Sequence, residues 1–141
     1  MSEFKRALMG DEGFSSKVYE DHLGFPTIGY GTRIDELDIT KEEAERWLDA
    51  ELYEKEERLR RIPEYVKLTA ARKNVIRSMA YQMGVGGTKR FKNMWKAIAN
   101  GDYAKAGAEM RDSQWYRDPA TRSRANRMAL RMISGVWKLG R

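Results

Sequence analysis

The chain contains no cysteine and a single histidine, His22, in 141 residues. The first absence excludes a disulfide scaffold, thiolate metal sites and a cysteine nucleophile. The second excludes multi-histidine zinc chemistry and leaves any Ser-His-Asp triad dependent on one ring. Neither a metal nor a cofactor is expected. Proline occurs three times. No apolar run approaches the roughly 20 residues that span a bilayer, so membrane insertion is not expected. The opening MSEFKRALMGDE has neither a long apolar stretch nor a small-residue cleavage site, which argues against a secretory signal. What remains is 41% hydrophobic and 34% charged, enough apolar matter for one compact domain without disorder.

Charge is unevenly placed. Residues 1–62 hold 10 Lys and Arg against 16 Asp and Glu, whereas residues 63–141 hold 17 against 5. The basic half can draw in nucleic acid, an anionic membrane or an acidic polymer, and it also serves solubility. Its basic residues are scattered over several helical segments rather than gathered on one recognition helix, which weighs against nucleic acid as the partner.

Most of the chain has helical periodicity. Ser2 is placed to cap a first helix on which Phe4, Leu8 and Glu12 share an i, i+4 stripe, limited by Gly10 and Gly13. Lys17 to Thr32 reads KVYEDHLGFPTIGYGT, aromatic and β-branched residues broken by Gly24, Pro26, Gly29 and Gly31. That pattern predicts a small antiparallel sheet. Thr40 with Glu43 forms a capping box for a long charged helix ended by Pro63, roughly 30 Å in length and suited to joining two lobes. Further helices are expected over 69–83, broken by the glycines at 84–87, then around Trp95, around Ala106, and from Asp118-Pro119 onward. The methionines and tryptophans fall at helical spacing and are expected to fill the core.

The densest group of chemically able residues lies in the sheet region. Glu12 ends the apolar stripe of the first helix, where lost solvation and the helix C-terminus would favour a protonated carboxyl suited to a general acid. Asp21, nine residues on in a polar turn, would stay ionised, and Thr27 could hold a water beside it. Two carboxyl groups in unlike environments are the minimum equipment for glycoside hydrolysis. Carboxylate pairs are common, and each of these residues also suits a cap or a solvated charge. His22 suits a surface turn. Gly24, Gly29 and Gly31 suit turns that require positive φ.

The pattern DEGF, four residues, then YEDHLGFPTIGYGT resembles the signature of the phage-type lysozymes, glycoside hydrolase family 24. The Glu, Asp, Thr spacing is met at Glu12, Asp21 and Thr27. Downstream, RKNVIRSMAYQMG at 72–84 resembles the family's central helix and QMG turn. Ser113 to Tyr116 resembles its SxWY segment, and RSRANR at 122–127 resembles its arginine-rich segment. The resemblance implies an α+β, mostly helical fold in one lysozyme-like domain. Residues 13–39 would form the small sheet-bearing lobe, 40–62 the connecting helix, and 1–12 with 63–141 the helical lobe.

It also implies a muramidase that cleaves the β-1,4 bond between N-acetylmuramic acid and N-acetylglucosamine of peptidoglycan with inversion. Glu12 would be the acid, with Asp21 and Thr27 activating water. Gln82, Trp115 and Arg124 are the implied substrate-binding residues. Trp115 equally suits core packing, and either Arg122 or Arg124 could pair with Glu12. Thr32 stands where T-even members have a histidine, and the segment after Gly31 is shorter than theirs. The expected biology is a monomeric endolysin held in the host cytoplasm, released to the wall by a holin-type membrane disruptor. A lytic transglycosylase is the competing chemistry, although that reaction needs no water-positioning pair.

Overall fold

A computed structural model describes residues 1–138. The architecture is α+β and mostly helical, with a three-stranded antiparallel sheet near the start of the chain. The chain divides into two compact units, Met1–Ala44 and Glu45–Arg141, and the division falls inside the highly charged helix Lys41–Leu59.

In the first unit, helix α1 (Glu3–Glu12) starts where the Ser2 hydroxyl accepts the Lys5 N–H at 3.1 Å. It stops at Gly13, whose positive φ turns the chain out of the helix toward strand β1 (Ser15–Glu20). Strands β2 (Pro26–Gly29) and β3 (Thr32–Arg33) follow, in the order β1-β2-β3. The register places Tyr19 opposite Thr27, and Thr27 opposite Arg33. Directly opposed residues project from the same face, so Tyr19, Thr27 and Arg33 share one side of the sheet. Gly24, Gly29 and Gly31 all take positive φ, as the turn pattern predicts. The Phe14 and Tyr30 rings pack at 5.4 Å between centroids and tie the start of β1 to the second turn.

Helix α2 (Lys41–Leu59) opens on Thr40 as expected, with the Glu43 N–H donating to Thr40 Oγ1, while the Glu43 side chain returns the contact at the Thr40 hydroxyl, which donates to Oε1, rather than at the backbone N–H of a full capping box. Its 19 residues extend about 28 Å. It ends three residues earlier than the sequence pattern predicts. Arg61 and Ile62 bond back to Arg58 and Leu59 in a tight turn, and Pro63 then opens a separate short helix, α3 (Pro63–Val66), rather than terminating α2. Proline lacks only a donor that a helix start leaves free, so it begins a helix more readily than it continues one.

The second unit contains helices α4 (Ala70–Lys89), α5 (Lys92–Ala99), α6 (Tyr103–Arg111), α7 (Gln114–Arg117) and α8 (Arg122–Ser134). Gly84, at φ 81°, kinks α4 where the glycine run predicts a break, but a further turn continues to Lys89. Thr88 Oγ1 donates to the Gly84 carbonyl at 2.9 Å, tying the added turn back to the kink. The last helix starts later than Asp118-Pro119 predicts. Asp118 Oδ1 and O accept from Ala120, Thr121 and Arg122, making a turn that delivers the chain to α8.

Met79, Met94, Met110 and Met132 are fully buried, beside Val75, Ile76, Leu59 and Tyr65. Burying a side chain of this size contributes roughly 1.5–3 kcal/mol, so these four methionines account for much of the unit's cohesion. Polar staples add direction. Arg72 lies 3.6 Å from the Tyr103 ring centroid and donates to the Met132 and Ile133 carbonyls, closing the C-terminal end of α8. Arg77 donates to both Glu56 carboxylate oxygens, and Tyr65 adds its hydroxyl to the same carboxylate. Glu56 is consequently held down to about 2, by Arg77 first and Tyr65 next, against a burial that pushes the other way.

Candidate active site

The three residues expected to carry the chemistry all lie in the first unit. Strand β1 and strand β2 are joined by the loop Asp21–Phe25. There the Asp21 N–H donates to the Phe25 carbonyl at 2.9 Å and the Gly24 N–H to the Asp21 carbonyl at 2.9 Å. The Asp21 side chain completes the turn. Its Oδ1 accepts the N–H groups of Leu23 and Phe25, both at 2.9 Å. This is the local side-chain-to-backbone bonding for which aspartate is suited in turns.

Thr27 enters two residues later. It is 2% exposed, and its hydroxyl donates to the Phe25 carbonyl at 2.8 Å. Phe25 therefore fixes both residues with its own backbone: the N–H holds Asp21 and the C=O holds Thr27.

The proton inventory that follows is specific. Oδ1 of Asp21 has both of its acceptor sites filled by backbone amides, so Oδ2 is the oxygen left to take a proton. Thr27 has committed its hydrogen to Phe25, so its oxygen faces any further partner as an acceptor. Asp21 Oδ2 and Thr27 Oγ1 are thus the acceptors that these bonds leave open. Asp21 also favours its ionised form. The Phe25 N–H holds its carboxyl below the usual range, with the Leu23 N–H, Arg33 and His22 acting the same way, although partial burial opposes them.

Glu12 is positioned differently from the sequence expectation. It is exposed, and α1 carries no buried residue, so the apolar stripe does not place this carboxyl in a buried end. The carboxyl group lies instead against the second turn. A Cβ added at Gly31 would stand 2.6 Å from Glu12 Oε2 and 3.1 Å from Cδ. Only glycine allows that approach, and Gly31 also takes a φ of 81° that other residues rarely adopt. The GYG run is thus both a turn and a seat for the Glu12 carboxyl. His22 is exposed on the hairpin loop, in keeping with a surface turn residue.

In the second unit, Trp115 is 9% exposed and packs edge-on against Phe91, with 6.3 Å between ring centroids. Its Nε1 donates to Gln82 Oε1 at 3.0 Å. Both residues line a groove of about 600 Å³ that also includes Phe91, Glu109, Asp112 and Ser113. Trp115 is thus a core residue that also borders the groove. Arg124 donates to Ser78 Oγ at 3.0 Å and to the Ser78 carbonyl, joining α8 to α4. Arg122 is exposed and donates to the carbonyls of Tyr116 and Arg117.

Arg33 was not among the residues singled out from the sequence. Its Nε lies 3.4 Å from Asp21 Oδ2, and its guanidinium stacks 4.1 Å from the Phe25 ring centroid. Only the β2–β3 register, with Thr27 opposite Arg33, brings it to the site.

Two carboxyl groups and a buried hydroxyl, at the end of α1 and on a small sheet followed by a helical unit, are the residue types that glycoside-cleaving enzymes use. The comparisons with known proteins agree. The phage lysozyme family model matches residues 10–128. The chain is 31% identical over 157 aligned positions to the pre-baseplate central spike protein Gp5 of Enterobacteria phage T4, covering 91% of this chain and 27% of that protein. It is 30% identical over 158 positions to the probable T4-type lysozyme 1 of Dictyostelium discoideum, covering 91% of this chain and 92% of that one. The chain spans about a quarter of the length of the spike protein and nearly all of the lysozyme. It belongs to the phage lysozyme family, a family of glycoside hydrolases that degrade peptidoglycan.

Proposed function

We propose that this lysozyme hydrolyses the β-1,4 bond between N-acetylmuramic acid and N-acetylglucosamine with inversion, using Glu12 as acid and the Asp21–Thr27 pair to activate water. In the reaction, the water oxygen bonds to the anomeric carbon as the bond to the leaving oxygen breaks. The leaving oxygen takes the Glu12 proton, and the attacking water gives one proton to Asp21 Oδ2. The observation that carries this reading is the Phe25 backbone, which holds Asp21 through its N–H and Thr27 through its C=O. A nucleophilic aspartate would need no such partner, and a transglycosylase would need no water at all.

Gln82, Trp115 and Arg124 are proposed to contact the glycan or its peptides. Gln82 and Trp115 border the 600 Å³ groove, which supports their inclusion. The single lysozyme-like domain acts as a monomer, in host lysis, on a wall reached with a holin-type membrane disruptor. No described helix is long and apolar enough to cross a membrane.

The test is lysis of outer-membrane-stripped Gram-negative cells, followed as turbidity, beside Glu12→Gln. The amide keeps the shape and lacks the proton, so folded Glu12→Gln should lose at least about 10²–10⁴-fold in rate. Mass spectrometry should find reducing ends, and NMR should find the α anomer first. Anhydro sugars would establish transglycosylation, and β anomer first would establish retention. Prompt lysis by the chain expressed alone would remove the need for a membrane disruptor.

A further inference from the structure

The water-activating pair is held by more than its own loop. Arg33 arrives from β3, across the sheet from Thr27, and is clamped on two sides. Its guanidinium lies flat enough on Phe25 to stand 4.1 Å from the ring centroid, while its Nε stands 3.4 Å from Asp21 Oδ2. Both members of the ion pair are partly shielded, with 32% of the Arg33 side chain and 17% of the Asp21 side chain exposed. The contact therefore sits between the surface and interior regimes, where geometry rather than bare charge decides its worth. The Phe25 stack matters because that residue's backbone also holds Asp21 and Thr27. Arg33 thus touches the carboxylate directly and the residue that orients it.

We infer that Arg33 is a positioning residue for the hydrolytic water: it fixes the rotation of the Asp21 carboxylate, so that Oδ2 faces the water shared with Thr27. This rests on the reading of Asp21 and Thr27 as the water-activating pair. The carboxylate turns about its Cβ–Cγ bond; the two backbone amides hold it at Oδ1, and Arg33 adds a contact at Oδ2 that resists the same rotation from the other oxygen. An arginine suits the task better than a lysine because its plane stacks on an aromatic ring while its edge faces an anion. The other charged groups beside Asp21 are its chain neighbours His22, in its own loop, and Glu20, at the end of β1. Neither stacks on Phe25.

Arg33→Gln and Arg33→Lys separate charge from plane. The expected result for Arg33→Gln is a fall in kcat of about tenfold or more with KM within about threefold, since misplacing a reacting group by less than an ångström acts on the chemical step. The acid limb of the kcat profile should also move to higher pH, because an attracting charge beside Asp21 is gone. Arg33→Lys keeps the charge and loses the stack, so its acid limb should stay near wild type while kcat still falls. NMR titration of the Asp21 carboxyl in a Glu12→Gln background gives a reading independent of activity, and it should move upward in Arg33→Gln and stay in Arg33→Lys.

Wild-type kcat in folded Arg33→Lys, or wild-type kcat with an unmoved acid limb in Arg33→Gln, would overturn the assignment. If Arg33→Gln does not fold, Arg33→Lys decides alone. Asp21→Asn is run beside them: full activity there defeats the water-activating reading itself, whereas an inactive Asp21→Asn with unaffected Arg33 variants defeats only the role of Arg33.

Discussion

Gly31→Ala should damage activity far more than stability, and the structure gives the size of each effect. At φ 81° an alanine is strained by roughly 1–2 kcal/mol. The new Cβ would also meet Glu12 Oε2 at 2.6 Å, whereas ordinary contact begins at 3.4 Å, so the carboxyl must retreat by about 0.8 Å. That retreat is inexpensive for the fold, because the atom is the far end of a flexible side chain. It is costly for catalysis, where a misplacement near 1 Å can lose about 10²-fold in rate. Gly101→Ala is the matched control. Gly101 has a φ of 69° and open space where its Cβ would fall, in a helix-end turn of the other unit.

Both variants should lower the melting temperature by a similar amount, about 4–8 °C for 1–2 kcal/mol in a chain of this size. Circular dichroism measures that shift, and turbidity clearance at equal folded protein measures rate. Gly31→Ala should lose about 30- to 100-fold in rate while Gly101→Ala stays within about twofold. Equal activity in the two variants would show that the Glu12 carboxyl does not depend on the Gly31 seat.

On the proposed mechanism Thr27→Val removes the oxygen that would accept from the attacking water while keeping the buried shape; hydrolysis should fall by more than about tenfold, and Thr27→Ser should retain most of it, as read by reducing-end release. Glu56 lies at about 2 in the folded protein, below its ordinary 4.5, so its contribution is complete above pH 4.5 and is lost as pH falls from there toward 2. Glu56→Gln should therefore cost about 1–2 kcal/mol at pH 7, with a difference from wild type that shrinks in acid, measured by urea unfolding at both ends of that window. Lys89, Lys92 and Lys96 are exposed and line one shallow groove with Trp95. Reversing all three charges should slow whole-wall lysis without slowing cleavage of a short neutral chitooligosaccharide. The wall reaction should also show the stronger salt dependence, because the Debye length is about 8 Å at 0.15 M. Equal effects on both substrates would leave those lysines a solubility role.

Much of the molecule was legible in the residues alone because local rules govern it. Ser2, Thr40 and Asp102 cap helices as their types require, with each side chain bonding an N–H three residues on. Glycines at 24, 29 and 31 mark turns because no other residue enters positive φ cheaply. The family signature at Glu12, Asp21 and Thr27 is likewise readable, since it is a matter of residue type at fixed spacing. Helix ends at Pro63 and Pro119 were less legible. A proline says that a helix cannot continue through it, but not whether the chain turns first, and Arg60–Ile62 and Asp118–Thr121 both turn first.

Tertiary structure alone decided the rest. Sequence places Glu12 at the end of an apolar stripe, yet its neighbour is the Gly31 turn, nineteen residues away, and nothing in the stripe announces that approach. Arg33 carries no motif; it matters because an antiparallel register sets it opposite Thr27 and within reach of Asp21. Phe25 presents only a ring to a reader of the sequence, whereas its two backbone groups hold both Asp21 and Thr27. The division has a physical cause. Caps and positive-φ turns depend on residues within four positions of one another, and their energetics survive in any fold. Register, close approach and the sharing of one peptide's N–H and C=O depend on how distant segments meet, and only the folded chain brings them together.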